Sequence, residues 1–150
     1  SRRQRQMCIR DRCMNVGEKI DPEYEKWFQI VYDAREDARQ FIQARLDAGE
    51  KVRGYEVDRR LKERFEQLGC AQYLMHRTGH NIGHRCHGIG ANLDDYETHD
   101  DRCLLPGTMF SIEPGLYTDK YGVRLEYDVH ITSEGETKVY GPVQDEILVI

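Results

Sequence analysis

The sequence predicts an α+β domain in which helices pack on one face of a curved antiparallel sheet. Three observations carry this expectation. Two segments in the first half repeat apolar residues at helical spacing, the second half alternates at strand spacing, and the texture changes after Gly69. The first helix is expected to start at Asp21-Pro22, a capping carboxylate followed by proline at the first helical position. Trp27, Val31, Ala34, Ala38, Phe41 and Ile42 then recur near the 3.6-residue period, and Gly49 is placed to end the helix. The second helix is expected from about Glu56 to Leu68. Val57, Leu61, Phe65 and Leu68 share one face, and Gly69 is its stop. Charged backs make both helices covers for a sheet.

Tyr73-Leu74-Met75 reads as a short strand, followed by a loop rich in glycine and histidine from His76 to Gly90 and a polar stretch from Asp94 to Arg102. Pro106-Gly107 opens a strand over Thr108 to Glu113, which Pro114-Gly115 closes. From Gly122 to Ile131 the alternation is strict. Val123, Leu125, Tyr127, Val129 and Ile131 point one way, and Arg124, Glu126, Asp128 and His130 point the other. After a turn at Glu134-Gly135, two short strands are expected at Lys138–Tyr140 and Asp145–Ile150.

The 150 residues give room for one ordinary domain. A net charge of -5 argues against a nucleic-acid partner, and 39% hydrophobic residues are too many for a disordered chain. The longest apolar run, Ile147 to Ile150, is far short of the roughly 20 residues of a membrane span, so no membrane role is expected. Five cysteines without a C-x-x-C pair speak against a disulfide or thiolate-zinc scaffold and for a reducing cytoplasm. No apolar segment of signal-peptide type follows the basic start. That start, residues 1–12, holds five Arg and one Asp and resembles a translated sequencing adapter. It is expected to be a disordered scar outside the fold, leaving 13–150 as the domain.

Two clusters carry the candidate chemistry. His76, His80, His84 and His87 lie within twelve positions, too rich in glycine for the helical H-E-x-x-H zinc motif and lacking its Glu. Glu113 ends an otherwise apolar strand, and Glu126 sits on the polar face of the alternating one. A carboxylate at the end of a buried strand costs several kcal/mol unless it is paired or binds a cation. A salt bridge from Glu126 to Arg124, which shares its face, is the plain alternative. Imidazole with carboxylates suits Mn, Co, Fe or Zn, and a carboxylate bridging two ions is the usual device for activating water.

Three blocks, HRTGHNIGHRCHG, LLPGTMFSIEPGLY and GVRLEYDV, resemble in order and spacing the pita-bread metallopeptidases, the family of methionine aminopeptidase, aminopeptidase P and prolidase. The resemblance covers nearly everything from Cys13 to Ile150. The short Glu113-to-Glu126 segment is more similar to the Xaa-Pro peptidases. It implies the C-terminal part of a pita-bread catalytic domain and hydrolysis of Xaa-Pro bonds by a metal-activated hydroxide. The substrate would be a peptide with proline second, and two divalent ions would serve, manganese before Co, Zn or Fe. A homodimer stays open. It makes His80, Glu113 and Glu126 metal ligands, with Glu126 bridging. Glu113 also handles a proton, His76 and His87 hold substrate and stabilise the tetrahedral intermediate, and Arg124 orients carboxylates.

The family's two Asp ligands lie on an upstream hairpin. The alignment puts the second at about Ile9, with Asp11 out of register, so that hairpin is expected to be missing and the chain alone to be inactive. Asn81 stands where glycine is common, and Gly88 where an acid often follows the second histidine. The competing expectation is a non-catalytic pita-bread module or a metal-free creatinase-like amidinohydrolase.

Overall fold

The computed structural model describes residues 12–150. Most of the adapter-like segment, and the Ile9 and Asp11 positions, lie outside the described residues.

The first helix, α1 (Pro22–Asp47), starts where its signals place it. Asp21 caps it, accepting the Glu23 backbone N–H at 2.9 Å. It ends in the turn before Gly49, whose φ of 70° lies in the left-handed region that glycine enters without strain. Its inward face is Tyr24, Phe28, Val31, Ala34, Ala38 and Ile42. Arg35 interrupts this apolar stripe and is fully buried. Its guanidinium lies 4.6 Å from the centre of the Tyr127 ring, and its Nη2 donates to the Gln144 carbonyl. The second helix, α2 (Gly54–Gln67), begins two residues earlier than its spacing suggests. Gly54 enters it against the Asn92 carbonyl, which an added Cβ would meet at 1.8 Å.

Two residues, Met14–Asn15, form β1, paired in parallel with β8 (Leu148–Val149). Asn81–Ile82 is β2, Met109–Ile112 is β3, Tyr127–Ile131 is β6 and Thr137–Tyr140 is β7. Together they make an antiparallel sheet in the order β2-β3-β6-β7. Gly115–Tyr117 (β4) and Gly122–Arg124 (β5) form a separate antiparallel pair. The N-terminal half of α1, with Leu61 and Phe65 of α2, covers Leu116 and Val123 of the smaller pair and Leu125 just beyond it. The C-terminal half, with Val57, covers Phe110, Ile112, Tyr127, Val129 and Ile131 of the larger sheet.

Two expectations need correction. The single strand over Gly122 to Ile131 divides at Leu125-Glu126, because its first part pairs with β4 and its second with β3. The inward alternation persists across the break, since Val123, Leu125, Tyr127, Val129 and Ile131 are all buried. The segment Tyr73-Leu74-Met75 is no strand. The chain turns there in a short 3-10 turn, Ala71–Tyr73, closed by bonds from Tyr73 N–H to Cys70 and from Leu74 N–H to Ala71. With no strand beside it, Met75 stays 63% exposed. Among the described residues no helix is long and apolar enough to cross a membrane.

Candidate metal centre

The ladder between β3 and β6 ends at the pair Ile112–Tyr127. One step further along both strands lie Glu113 and Glu126, so antiparallel register alone brings together two carboxylates thirteen positions apart. His80 reaches the same place from the other side of β3. Its backbone carbonyl accepts the Ser111 N–H at 2.9 Å, and its backbone N–H donates to Ser111 Oγ at 3.0 Å. One donor atom each from His80, Glu113 and Glu126 lies within 4.8 Å of the others.

Hydrogen bonds orient this group. His80 Nδ1 donates to the Asn81 carbonyl at 3.0 Å, which turns Nε2 toward Glu113. Nε2 stands 3.5 Å from Glu113 Oε1. The Ser111 hydroxyl donates to that same Oε1 at 3.0 Å. His80 and Glu126 are only 6% and 7% exposed. Two carboxylates and an imidazole nitrogen converge here in a place mostly withdrawn from water, the setting in which carboxylates call for a cation or hydrogen-bonding partners. The donor set therefore fits a divalent ion with mixed oxygen and nitrogen coordination.

The approach of β2 to β3 requires glycine at position 79. A Cβ there would stand 1.9 Å from the Ser111 carbonyl oxygen. Behind it, Asp58 of α2 clamps the loop. Its Oδ1 accepts the Thr78 N–H at 2.8 Å and the Thr78 hydroxyl at 2.6 Å, and its Oδ2 accepts the Asp95 N–H at 2.7 Å. Burial pushes the Asp58 carboxyl above its ordinary range, against the pull of these donors. The Thr78 carbonyl in turn accepts the Glu113 N–H at 2.7 Å. A clamp on the helix thus extends to the carboxylate through one residue.

Asn81 performs a similar service for the exposed turn after β2. Its Nδ2 donates to the Met109 carbonyl, and its Oδ1 accepts the Gly90 N–H. Added Cβ atoms at Gly88 and Gly90 would lie 2.0 and 2.5 Å from this side chain. Asn81, Gly88 and Gly90 therefore form one packing unit, which gives a structural reason for both unusual residues in this stretch.

The other expected site residues surround the three converging ones. His87 is exposed, with its ring centre 4.3 Å from that of His80. His76 stands apart, its Nδ1 at the Arg77 carbonyl and its Nε2 2.9 Å from the Tyr117 hydroxyl. Arg124 ends β5, two residues before Glu126, and its carbonyl accepts the Cys13 Sγ–H. His84 is exposed on the turn.

Residues 10–133 match the sequence profile of metallopeptidase family M24. The chain belongs to that family. Its α+β architecture is accordingly part of the M24 pita-bread fold, and membership implies divalent metal. Among curated relatives, YkvY of Bacillus subtilis is 32% identical over 120 residues, 77% of this chain and 30% of YkvY. Among solved structures, an X-Pro aminopeptidase from Thermotoga maritima superposes with a TM-score of 0.77 at 26% identity, over 93% of this M24 chain and 36% of its own. An Xaa-Pro dipeptidase from Bacillus anthracis gives 0.77 at 28%, over 93% and 36%. The M24 chain spans about a quarter to a third of the length of the curated relatives it matches.

Ser111, Asp58, Tyr117 and Cys86 were not among the residues expected at this M24 site. Ser111 was open to discovery, since it lies two positions before Glu113 and so shares its face of the strand. Asp58 gave no signal, because its partners lie on a loop twenty and more residues away.

Proposed function

We propose that this chain carries the histidine and glutamate part of a dinuclear metallopeptidase centre that hydrolyses Xaa-Pro bonds, of the aminopeptidase P or prolidase type. The observation that carries this reading is the convergence of His80, Glu113 and Glu126 within 4.8 Å, with His80 Nδ1 committed to the Asn81 carbonyl. These three residues would hold divalent metal, with Glu126 as the bridging carboxylate and manganese the ion best matched to an oxygen-rich set. When bound, such ions supply Lewis acidity and a water acidified enough to act as nucleophile near neutral pH.

The chain's own residues do the rest. Glu113 takes up the proton of the attacking water and passes it to the leaving nitrogen, while the Ser111 hydroxyl holds its Oε1 in place. His87, on the exposed turn, donates an N–H to the carbonyl oxygen as negative charge develops. His76 keeps its Nε2 as an acceptor at the Tyr117 hydroxyl, where a substrate N–H competes for it. Arg124 orients the glutamate pair from the end of β5.

Three donors serve one ion. The second ion depends on further carboxylates, which the family resemblance puts upstream of the described residues. On this reading the chain alone does not turn over Xaa-Pro peptides, and the setting is a reducing cytoplasm. A binding-only module or a metal-free amidinohydrolase would not need three metal-ligating side chains converging in this arrangement.

Manganese titration of the folded chain, followed by electron paramagnetic resonance, tests the proposal. Three ligands hold one ion loosely, and Glu126→Gln should abolish that Mn²⁺ binding. In a chimera that joins residues 13–150 to the N-terminal catalytic half of an Xaa-Pro dipeptidase, it should also abolish hydrolysis. Unchanged Mn²⁺ binding in the variant would remove Glu126 from the centre. Xaa-Pro hydrolysis by the chain alone would overturn the dependence on further carboxylates.

A further inference from the structure

A second set of donor atoms also converges on His80. One atom each of His80, Cys86 and His87 lies within 4.8 Å of the others. Cys86 has no part in the peptidase reading, and nothing in the packing of the core uses it: it is half-buried on the turn after β2, between exposed neighbours. We propose that His80, Cys86 and His87 form a thiophilic metal site that takes Zn²⁺. Filling it would withdraw His80 from the carboxylate side and so inhibit the enzyme, a consequence that rests on the reading of His80 as a peptidase ligand.

The chemistry of the donors separates the two sites. Thiolate with two imidazoles is a set that zinc accepts and manganese does not prefer, whereas two carboxylates with one imidazole suit manganese. Three protein ligands leave the fourth tetrahedral position of zinc to water. Binding converts the Cys86 thiol to thiolate and releases its proton to solvent.

The turn can supply the geometry. Zinc bonds of about 2.0–2.3 Å place tetrahedral donors roughly 3.4–3.7 Å apart, so the set contracts by no more than about 1.4 Å. Gly83, His84, Arg85 and His87 are exposed, which leaves these residues room to shift. Both ends of the turn are nonetheless fixed. The Gly88 N–H donates to the Asn81 carbonyl at 2.8 Å, and the Gly90 N–H donates to the Asn81 side chain at 3.0 Å. These bonds keep Cys86 and His87 beside His80. Because Nδ1 of His80 is committed to the Asn81 carbonyl, Nε2 serves whichever ion is present. The two donor sets therefore cannot both be filled.

Cobalt(II) added to the full chain is the first probe. Wild type should develop a thiolate-to-cobalt charge-transfer band that Zn²⁺ bleaches and that prior Mn²⁺ loading suppresses. The band should vanish in Cys86→Ser, weaken in His87→Ala and persist in Glu126→Gln. Zinc affinity should fall in Cys86→Ser by more than the roughly 10- to 100-fold that losing an outer-shell partner costs. Zinc should also protect Cys86 of the wild type from alkylation, mapped by peptide mass, a measurement that needs no variant to fold. The proposal is overturned by the absence of a band in wild type, by a band or zinc affinity unchanged in Cys86→Ser, or by unprotected alkylation of Cys86. Simultaneous saturation by Co²⁺ and Mn²⁺ would overturn the sharing of His80. Failure of the peptidase reading looks different: the cobalt band would still appear, bleach with Zn²⁺ and vanish in Cys86→Ser, while Mn²⁺ binding would ignore Glu126→Gln.

Discussion

Substituting Asp58 by Ala should loosen the centre without touching any of its donor atoms. Asp58 is 3% exposed, and the residue it holds, Thr78, is fully buried. The substitution strands two backbone N–H groups, those of Thr78 and Asp95, and one hydroxyl that can rotate elsewhere. A stranded buried donor costs about 1–3 kcal/mol, so the two amides together cost about 2–6 kcal/mol, a large share of the roughly 5–15 kcal/mol that holds a domain folded. Urea unfolding followed by circular dichroism should show a midpoint lower by roughly 1–3 M, given a slope of about 2 kcal/mol per M. Mn²⁺ affinity should fall in parallel, because the Thr78 carbonyl carries the Glu113 N–H. The effect should also depend on pH with a definite sign. Burial raises the Asp58 carboxyl above its ordinary value of 3.8, so the folded state holds this proton more tightly than the unfolded state. The group's contribution to stability is then largest below 3.8 and declines as pH rises through the raised folded value. The gap between wild type and Asp58→Ala should therefore narrow with rising pH over that window. A midpoint within about 0.2 M of wild type would refute the clamp. A gap that widens with pH would show that the three donors outweigh burial in setting the titration.

Two further substitutions probe neighbouring parts of the argument. Gly79→Ala places a Cβ 1.9 Å from the Ser111 carbonyl oxygen, so β2 must part from β3. We expect a loss of at least about 1–3 kcal/mol in urea unfolding together with weakened Mn²⁺ binding, and wild-type values for both would refute the close approach. Asp21 is held down to about 2 by the Tyr121 hydroxyl first, then by the Lys120 ammonium and the Glu23 N–H. Its contribution is present above 3.8 and lost as pH falls toward about 2, so Asp21→Asn, which keeps the helix cap, should flatten the acid limb of the stability profile in that interval. Parallel acid limbs for the two proteins would contradict that assignment.

The parts of this structure that were legible in the sequence rest on local rules. Asp21-Pro22 and Gly49 bound α1 through capping and left-handed backbone, which act within a few residues. The alternation from Val123 to Ile131 reports burial and held across the break at Glu126, but alternation does not say which strand lies alongside. Pairing of its two halves with β4 and β3 was therefore invisible, as was the parallel pairing of β1 with β8 across more than a hundred residues. The three converging residues were found from residue type and family resemblance. The groups that hold them were not. Asp58 acts through hydrogen bonds to the backbone of distant segments, and a backbone partner leaves no mark on the sequence; Ser111 lies two positions before the Glu113 it bonds, and there the signal was present but not read. Tyr73 to Met75 misled because aromatic and aliphatic residues in a short run look alike in a strand and in the turn that follows a helix.

The central claim is that His80, Glu113 and Glu126 are the ligands of a divalent ion. Anomalous diffraction at the manganese edge, from crystals of the folded chain equilibrated with Mn²⁺ alone, tests it most directly. A peak bounded by His80 Nε2 and the carboxylates of Glu113 and Glu126 is expected, as is its loss in crystals of Glu126→Gln. A manganese peak held by other side chains, or one that persists at the same place in Glu126→Gln, would contradict it.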